Sequence, residues 1–238
     1  MGAKSRFAAK AIASAVLLFS APQPTSAQTL SDRQALMEQA RTATAAKNWL
    51  EAAGALKKLV ALDPQWRNFQ QLGNAELNGG GYEDALAAYE QGIELARVSH
   101  SQDPDTRIAI GAMLTNKGNA LLKLKRNKDA IAAYTEAADL DPHSVTAYFN
   151  LCATQYNAGN FDGALAACDK AIAADPSKAD AYFLKGSLLI GQSTVGKNGK
   201  VSAPPGAAAA LRKYLELSPT GGHAEDVRQM LVYVGPSN

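Results

Sequence analysis

Small and apolar residues recur along this chain with a long, fixed period. Two segments show it most plainly: GNALLKLKRNKDAIAAYTEAADLDP (Gly118–Pro142) and CATQYNAGNFDGALAACDKAIAADP (Cys152–Pro176). Laid over one another, Gly118 falls on Cys152, Ala130 on Ala164, Tyr134 on Cys168, Ala137 on Ala171 and Pro142 on Pro176. The step is the same at every position. In each segment a turn separates two helical stretches. Small residues stand where the two helices must approach closely, and Asp-Pro ends the second, because the residue before a proline is pushed out of helical geometry. A period of about 34 residues predicts helical hairpins stacked in a row.

The pattern repeats five times, over about 33–64, 66–97, 111–142, 145–176 and 179–219. Its markers are Leu36, Ala40 and Trp49 in the first unit, and Leu72, Gly73, Tyr82 and Tyr89 in the second. They continue as Gly118 and Tyr134 in the third, Tyr148, Gly159 and Phe161 in the fourth, and Tyr182 and Gly186 in the fifth. This resembles the tetratricopeptide repeat (TPR) family, and the resemblance covers nearly all of the chain after Ala27. It implies an all-α, right-handed superhelix of helix-turn-helix repeats. His223 to Val234 is amphipathic and reads as a helix capping the last repeat, since a stacked array needs a terminal cap.

Two places break the period. Eleven extra residues separate units two and three, around ARVSHSQDPDT, and read as a lengthened helix followed by a turn at Asp103-Pro104. In unit five the second helix arrives nine residues late. The inserted stretch QSTVGKNGKVSAPPG (192–206) reads as a β-hairpin turning at Asn198-Gly199, with Val195 and Val201 in its strands. It is either a tolerated loop decoration or an exposed strand edge for a partner.

Composition agrees with helices: 47% of residues are hydrophobic and only 7% aromatic, and alanine is the best helix former. The segment from Met1 to Ala27 has the layout of a secretory signal peptide, with Lys4, Arg6 and Lys10, a short apolar run from Ala11 to Phe19, and Thr25-Ser26-Ala27 before a cut. The alternative is an uncleaved anchor. Cleavage after Ala27 leaves Gln28 first. It also removes three of the positive charges behind the net +2 of the full chain, leaving −1. A near-neutral chain gives no electrostatic reason to expect nucleic acid, and no later segment is apolar enough to span a membrane. The expected location is the periplasm or the medium.

The chain holds no recognisable catalytic constellation. His100, His143 and His223 sit beside turns without partners at metal spacing, and Gly79-Gly80-Gly81 lacks the Lys-Ser/Thr of a phosphate loop. No metal, cofactor or enzymatic activity is expected. Cys152 and Cys168 fall in the two helices of unit four at positions that should face each other. In an oxidising compartment they predict a disulfide, the alternative being two buried thiols.

The resemblance also implies a concave groove lined by first helices, where family members often hold an extended peptide. By register it offers Gln70 and Asn74 in unit two, and Thr115, Asn116, Asn119 and Lys123 in unit three. Unit four offers Phe149, Asn150, Ala153, Tyr156 and Asn157, and unit five Phe183, Leu184 and Ser187. Asn119 and Asn150 fall where the family's peptide binders use asparagines, which can donate to and accept from a backbone. Phe149, Tyr156 and Phe183 are candidates for an apolar anchor. Thr115, Asp180 and Leu184 stand largely where the chaperone-tail binders carry cations, which argues against that ligand. The expected function is protein or peptide binding in this groove. The alternative is a scaffold or assembly factor acting through the convex face, termini or hairpin.

Overall fold

The computed structural model describes residues 26–100, 103–195, 197 and 201–234. The expected leader therefore lies almost wholly outside the described residues, and so does the turn expected at Asn198-Gly199. Among the described residues, ten helices form five antiparallel pairs, followed by a last single helix. The pairs are α1 (Ser26–Ala45) with α2 (Trp49–Leu62), α3 (Trp66–Gly79) with α4 (Tyr82–His100), and α5 (Pro104–Lys123) with α6 (Asn127–Leu140). Then come α7 (Val145–Asn157) with α8 (Phe161–Ala174), α9 (Ala179–Gly191) with α10 (Ala207–Leu217), and the single helix α11 (Ala224–Val234). Each pair packs on the next, and α3 also touches α5 as α7 touches α9, so first helices of these neighbouring units share one surface. The helices succeed one another as a TPR superhelix.

Local chemistry sets the ends of these helices. Asn48, Ser144 and Asn160 cap α2, α7 and α8 by accepting a backbone N–H of the first turn. Asp63, Asp141 and Asp175 close α2, α6 and α8, each just before a proline. The tight turn inside a unit needs a left-handed residue. Gly80 and Gly159 supply it at φ 85° and 76°, and in the first and third units Lys47 and Lys125 are held there at φ 56° and 60°.

The extra residues between units two and three differ from the sequence expectation in one respect. They lengthen both neighbouring helices, not only α4, because α5 opens directly at Pro104. Asp103 is its N-cap, accepting from the Thr106 backbone N–H and hydroxyl at 3.0 and 2.7 Å. In unit five, β1 (Thr194–Val195) pairs antiparallel with β2 (Val201–Ser202), and β2 leans on α11.

One contact recurs through the stack. In α3 a Cβ added to Gly73 would lie 2.5 Å from the ring of Tyr89 on α4, and one added to Gly118 of α5 would lie 2.5 Å from the ring of Tyr134 on α6. Each tyrosine thus lies across a bare patch of helix backbone, and both rings are fully buried. Gly186 receives Leu211 in the same way in unit five, again at 2.5 Å. In unit four the equivalent positions hold Cys152 and Cys168. Their sulfur atoms stand at disulfide distance, 1.97 Å, and their Cα atoms are 5.2 Å apart. The core between the helices is otherwise rich in alanine, with Ala52, Ala85, Ala130, Ala164 and Ala171 fully buried.

The crossing has a direct test. Gly118→Ala is expected to lower the unfolding free energy by about 1–3 kcal/mol through overpacking against Tyr134. Gly54→Ala, at an exposed site of α2 with nothing within 4 Å, is expected to raise it by about 0.5–1 kcal/mol. Urea denaturation of the two variants beside the parent chain reads both signs.

Candidate asparagine groove

The tyrosines that cross the glycines also deliver their hydroxyls to the concave surface. The residue after each glycine is an asparagine, Asn74 after Gly73 and Asn119 after Gly118. The Tyr89 hydroxyl donates to Asn74 Oδ1 at 2.8 Å, and the Tyr134 hydroxyl donates to Asn119 Oδ1 at 2.7 Å. Burial pushes both phenols well above the usual tyrosine range, so the hydroxyls remain protonated donors.

Four asparagines then link into one row across three repeats. Asn150 Nδ2 donates to Asn119 Oδ1 at 3.3 Å. Asn119 Nδ2 donates to Asn116 Oδ1 at 3.4 Å, and Asn116 Nδ2 donates to Asn74 Oδ1 at 3.0 Å. All three bonds run in the same direction, from unit four toward unit two. Each bond is worth about 1 kcal/mol net, and members of a network polarise one another. The row therefore fixes its side chains better than isolated surface amides would be fixed.

The hydrogen-bond inventory decides what the row can offer a ligand. The carbonyl oxygens of Asn74 and Asn119 each accept two bonds, one from a tyrosine and one from an asparagine, which fills both lone pairs. Each amide nitrogen carries two N–H groups. Among the described residues, Asn119 and Asn150 have one left over and Asn74 has two, while the Asn116 amide, besides donating to Asn74, hydrogen-bonds the Tyr89 oxygen. The row thus presents mainly donors, suited to the carbonyl or carboxylate oxygens of a ligand.

Open clefts surround the row. One of about 650 Å³ is lined by Arg41, Trp49, Asn74, Asn78, Asn116 and Asn119 among others. A second, of about 560 Å³, reaches from Asn119 to Tyr82 and Lys123. Among the described residues no carboxylate lines either cleft, and their charged residues are Arg41 and Lys123. Arg41 is held by both oxygens of Glu38, at 2.9 and 2.6 Å.

The structure therefore brings Asn74, Asn116, Asn119 and Asn150 together, with Lys123 at the rim. It does not bring the expected aromatic anchors to them. Phe149 packs against the core with the Lys178 ammonium 4.7 Å above its ring. Tyr156 pairs with Phe161, ring centroids 6.2 Å apart. Phe183 is stacked at 3.9 Å on His223, just before α11, and also meets Tyr214. One face of the half-buried Phe183 ring is thus taken by the residue that precedes α11. Thr115 is buried, its hydroxyl donating to the Gly111 carbonyl, and Ser187 faces Met230 of α11. Arg41, Trp49 and Asn78 line the first cleft without having been expected there. For Arg41 the register of unit one was the available signal, because α1 is a first helix like α3 and α5; Trp49 opens α2 and Asn78 lies near the end of α3.

Known proteins agree with this architecture. The tetratricopeptide-repeat family model matches residues 115–179 and 153–222. These residues belong to the TPR family, and the whole stack of helix pairs has its fold. Among solved structures, the TPR fold is shared with MamA from Desulfovibrio magneticus RS-1, at TM-score 0.64 and 20% identity over 80% of this chain and 97% of that one. It is shared also with YrrB, a TPR protein described as having an unusual peptide-binding site, at TM-score 0.59 and 19% identity over 84% of this chain and 99% of that one. By sequence the TPR region is similar to the Hsp70-Hsp90 organizing protein of Triticum aestivum, 28% identical over 164 residues, which are 69% of this chain but only 22% of that protein. TPR proteins mediate protein–protein interactions.

The cysteine pair is checked chemically. Thiol titration of the denatured, unreduced protein is expected to find no free thiol. Reduction is expected to lower stability by about 3 kcal/mol, for a loop closed over 16 residues.

Proposed function

We propose that this chain is a non-enzymatic binding module that holds an extended segment of a partner protein in its concave groove, through the asparagine row. The observation that carries this reading is the donor-rich face of Asn74, Asn119 and Asn150, aligned across repeats. An extended backbone presents carbonyl oxygens at regular intervals, and an amide reads them without regard to side chains. The peptide-binding site described for YrrB and the partners named for the Hsp70-Hsp90 organizing protein lend support by analogy of fold. A chaperone tail is not the ligand proposed. Asp180 and Leu184 stand where such binders place cations, and Thr115 is buried.

We also propose that the protein works outside the cytoplasm, in the cell envelope. The leader-like segment ending at Ala27 supports this, as does a buried cysteine pair at bonding distance. Among the described residues no helix is long and apolar enough to cross a membrane.

The test is a crosslinked pull-down from the envelope fraction of the source cell. The Asn150→Ala/Lys123→Ala variant runs beside the parent chain. Both changes spare the tyrosine-bonded amides, so folding is preserved. Loss of about tenfold or more in captured partner is expected, as for one or two polar contacts. Equal capture by both proteins would move the contact to the convex face, the termini or the hairpin.

A further inference from the structure

α5 is 20 residues long against 13 for α7, so it begins seven residues earlier in its repeat. These extra turns bury Thr106 and Ile110, leave Ile108 exposed, and are tied to α6 by Arg107, which donates to the Leu140 carbonyl at 3.3 Å. Between this extension and the turn joining α6 to α7 lies a cleft of about 240 Å³. Ile108, in the extension, forms one wall and is 59% exposed. Ala112 and Thr115 continue that wall along α5, and Ser144 and Asp141 lie opposite.

The polar groups of this cleft are largely occupied by local backbone. The Thr115 hydroxyl donates to the Gly111 carbonyl at 2.9 Å, which turns its methyl group outward from that bond. Ser144 Oγ accepts from the Ala147 N–H at 3.3 Å, and Asp141 Oδ1 accepts from the His143 N–H at 3.0 Å. The wall formed by α5 is then aliphatic, made of Ile108, Ala112 and the Thr115 methyl, while Thr146 and Asn116 complete the lining with polar groups. The volume is below the roughly 300–1,000 Å³ of a site for a free small molecule. Asn116 lines this cleft and is also the middle member of the asparagine row.

We infer that this cleft is a side-chain subsite of the groove, taking one aliphatic side chain of the extended polypeptide whose backbone lies on the asparagine row. The inference rests on the groove reading above. The row reads backbone and is indifferent to sequence. The extension adds the sequence preference, because a buried aliphatic group strengthens binding by about tenfold or more. Ile108 and Ala112 are then specificity-determining residues, and both are exposed in the free protein.

The experiment selects phage-displayed random dodecapeptides on the parent chain, on Ala112→Leu and on Asn150→Ala. Ala112 is exposed, so leucine fills the cleft without disturbing the core. The parent is expected to enrich peptides sharing one Val, Leu or Ile position. Ala112→Leu is expected to bind those peptides about tenfold more weakly and to select Gly or Ala at that position. Asn150→Ala is expected to weaken all of them, whatever their side chains. Peptides that depend on Asn150 but ignore Ala112→Leu, or that share no aliphatic position, overturn the subsite and leave the groove standing. No enrichment, or binding indifferent to both variants, overturns the groove reading and the subsite with it.

Discussion

The rest of this structure depends on one close contact: a tyrosine of the second helix lying flat across a glycine of the first. The glycine matters because any side chain would collide with the ring, as the 2.5 Å approaches at Gly73 and Gly118 show. The contact sets the distance between the two helices of a unit. It also sets the depth at which the tyrosine hydroxyl emerges on the concave side. Alanines at the remaining helix contacts allow that closeness throughout the stack.

The groove follows from this crossing. A hydroxyl emerging at a fixed place needs a partner, and the asparagine one residue beyond each glycine supplies it. The tyrosine occupies one lone pair of the amide oxygen and the neighbouring asparagine occupies the other. The amide is thereby turned so that N–H groups are left for a ligand. Unit four shows what happens when the crossing is replaced. Cys152 and Cys168 stand at its two positions, no tyrosine hydroxyl arrives, and the next residue is Ala153. The row accordingly ends at Asn150, which reaches back to Asn119. Beyond it, the last repeat presents an aromatic surface, but α11 and the residues before it take up Phe183.

Much of this was legible in the sequence. The repeat register already aligned Gly118 with Cys152 and Tyr134 with Cys168, which are the crossing positions themselves. Register alone also placed Asn119 and Asn150 on the groove face. It did not show that they bond to each other and to buried tyrosines, because hydrogen-bond direction depends on side-chain rotamers that a repeat pattern does not encode. Nor did it show what Phe149, Tyr156 and Phe183 pack against, for a related reason. Register says which face a residue starts from, whereas Lys178, Phe161 and His223 decide where each ring is covered. The extension of α5 was hidden in an interruption of the period, since the extra residues divide between two helices only once Asp103 caps the second.

The central claim is that the tyrosines and asparagines form one network, and a double-mutant cycle tests it most directly. Tyr134→Phe and Asn150→Ala remove two different donors to the same oxygen, Asn119 Oδ1. Unfolding free energies of the two single variants and the double variant, measured in urea against the parent, give the coupling. A shared acceptor predicts a coupling of about 0.5 kcal/mol or more. Effects that add to within about 0.3 kcal/mol would contradict the network, and with it the fixed row of donors on which the groove is built.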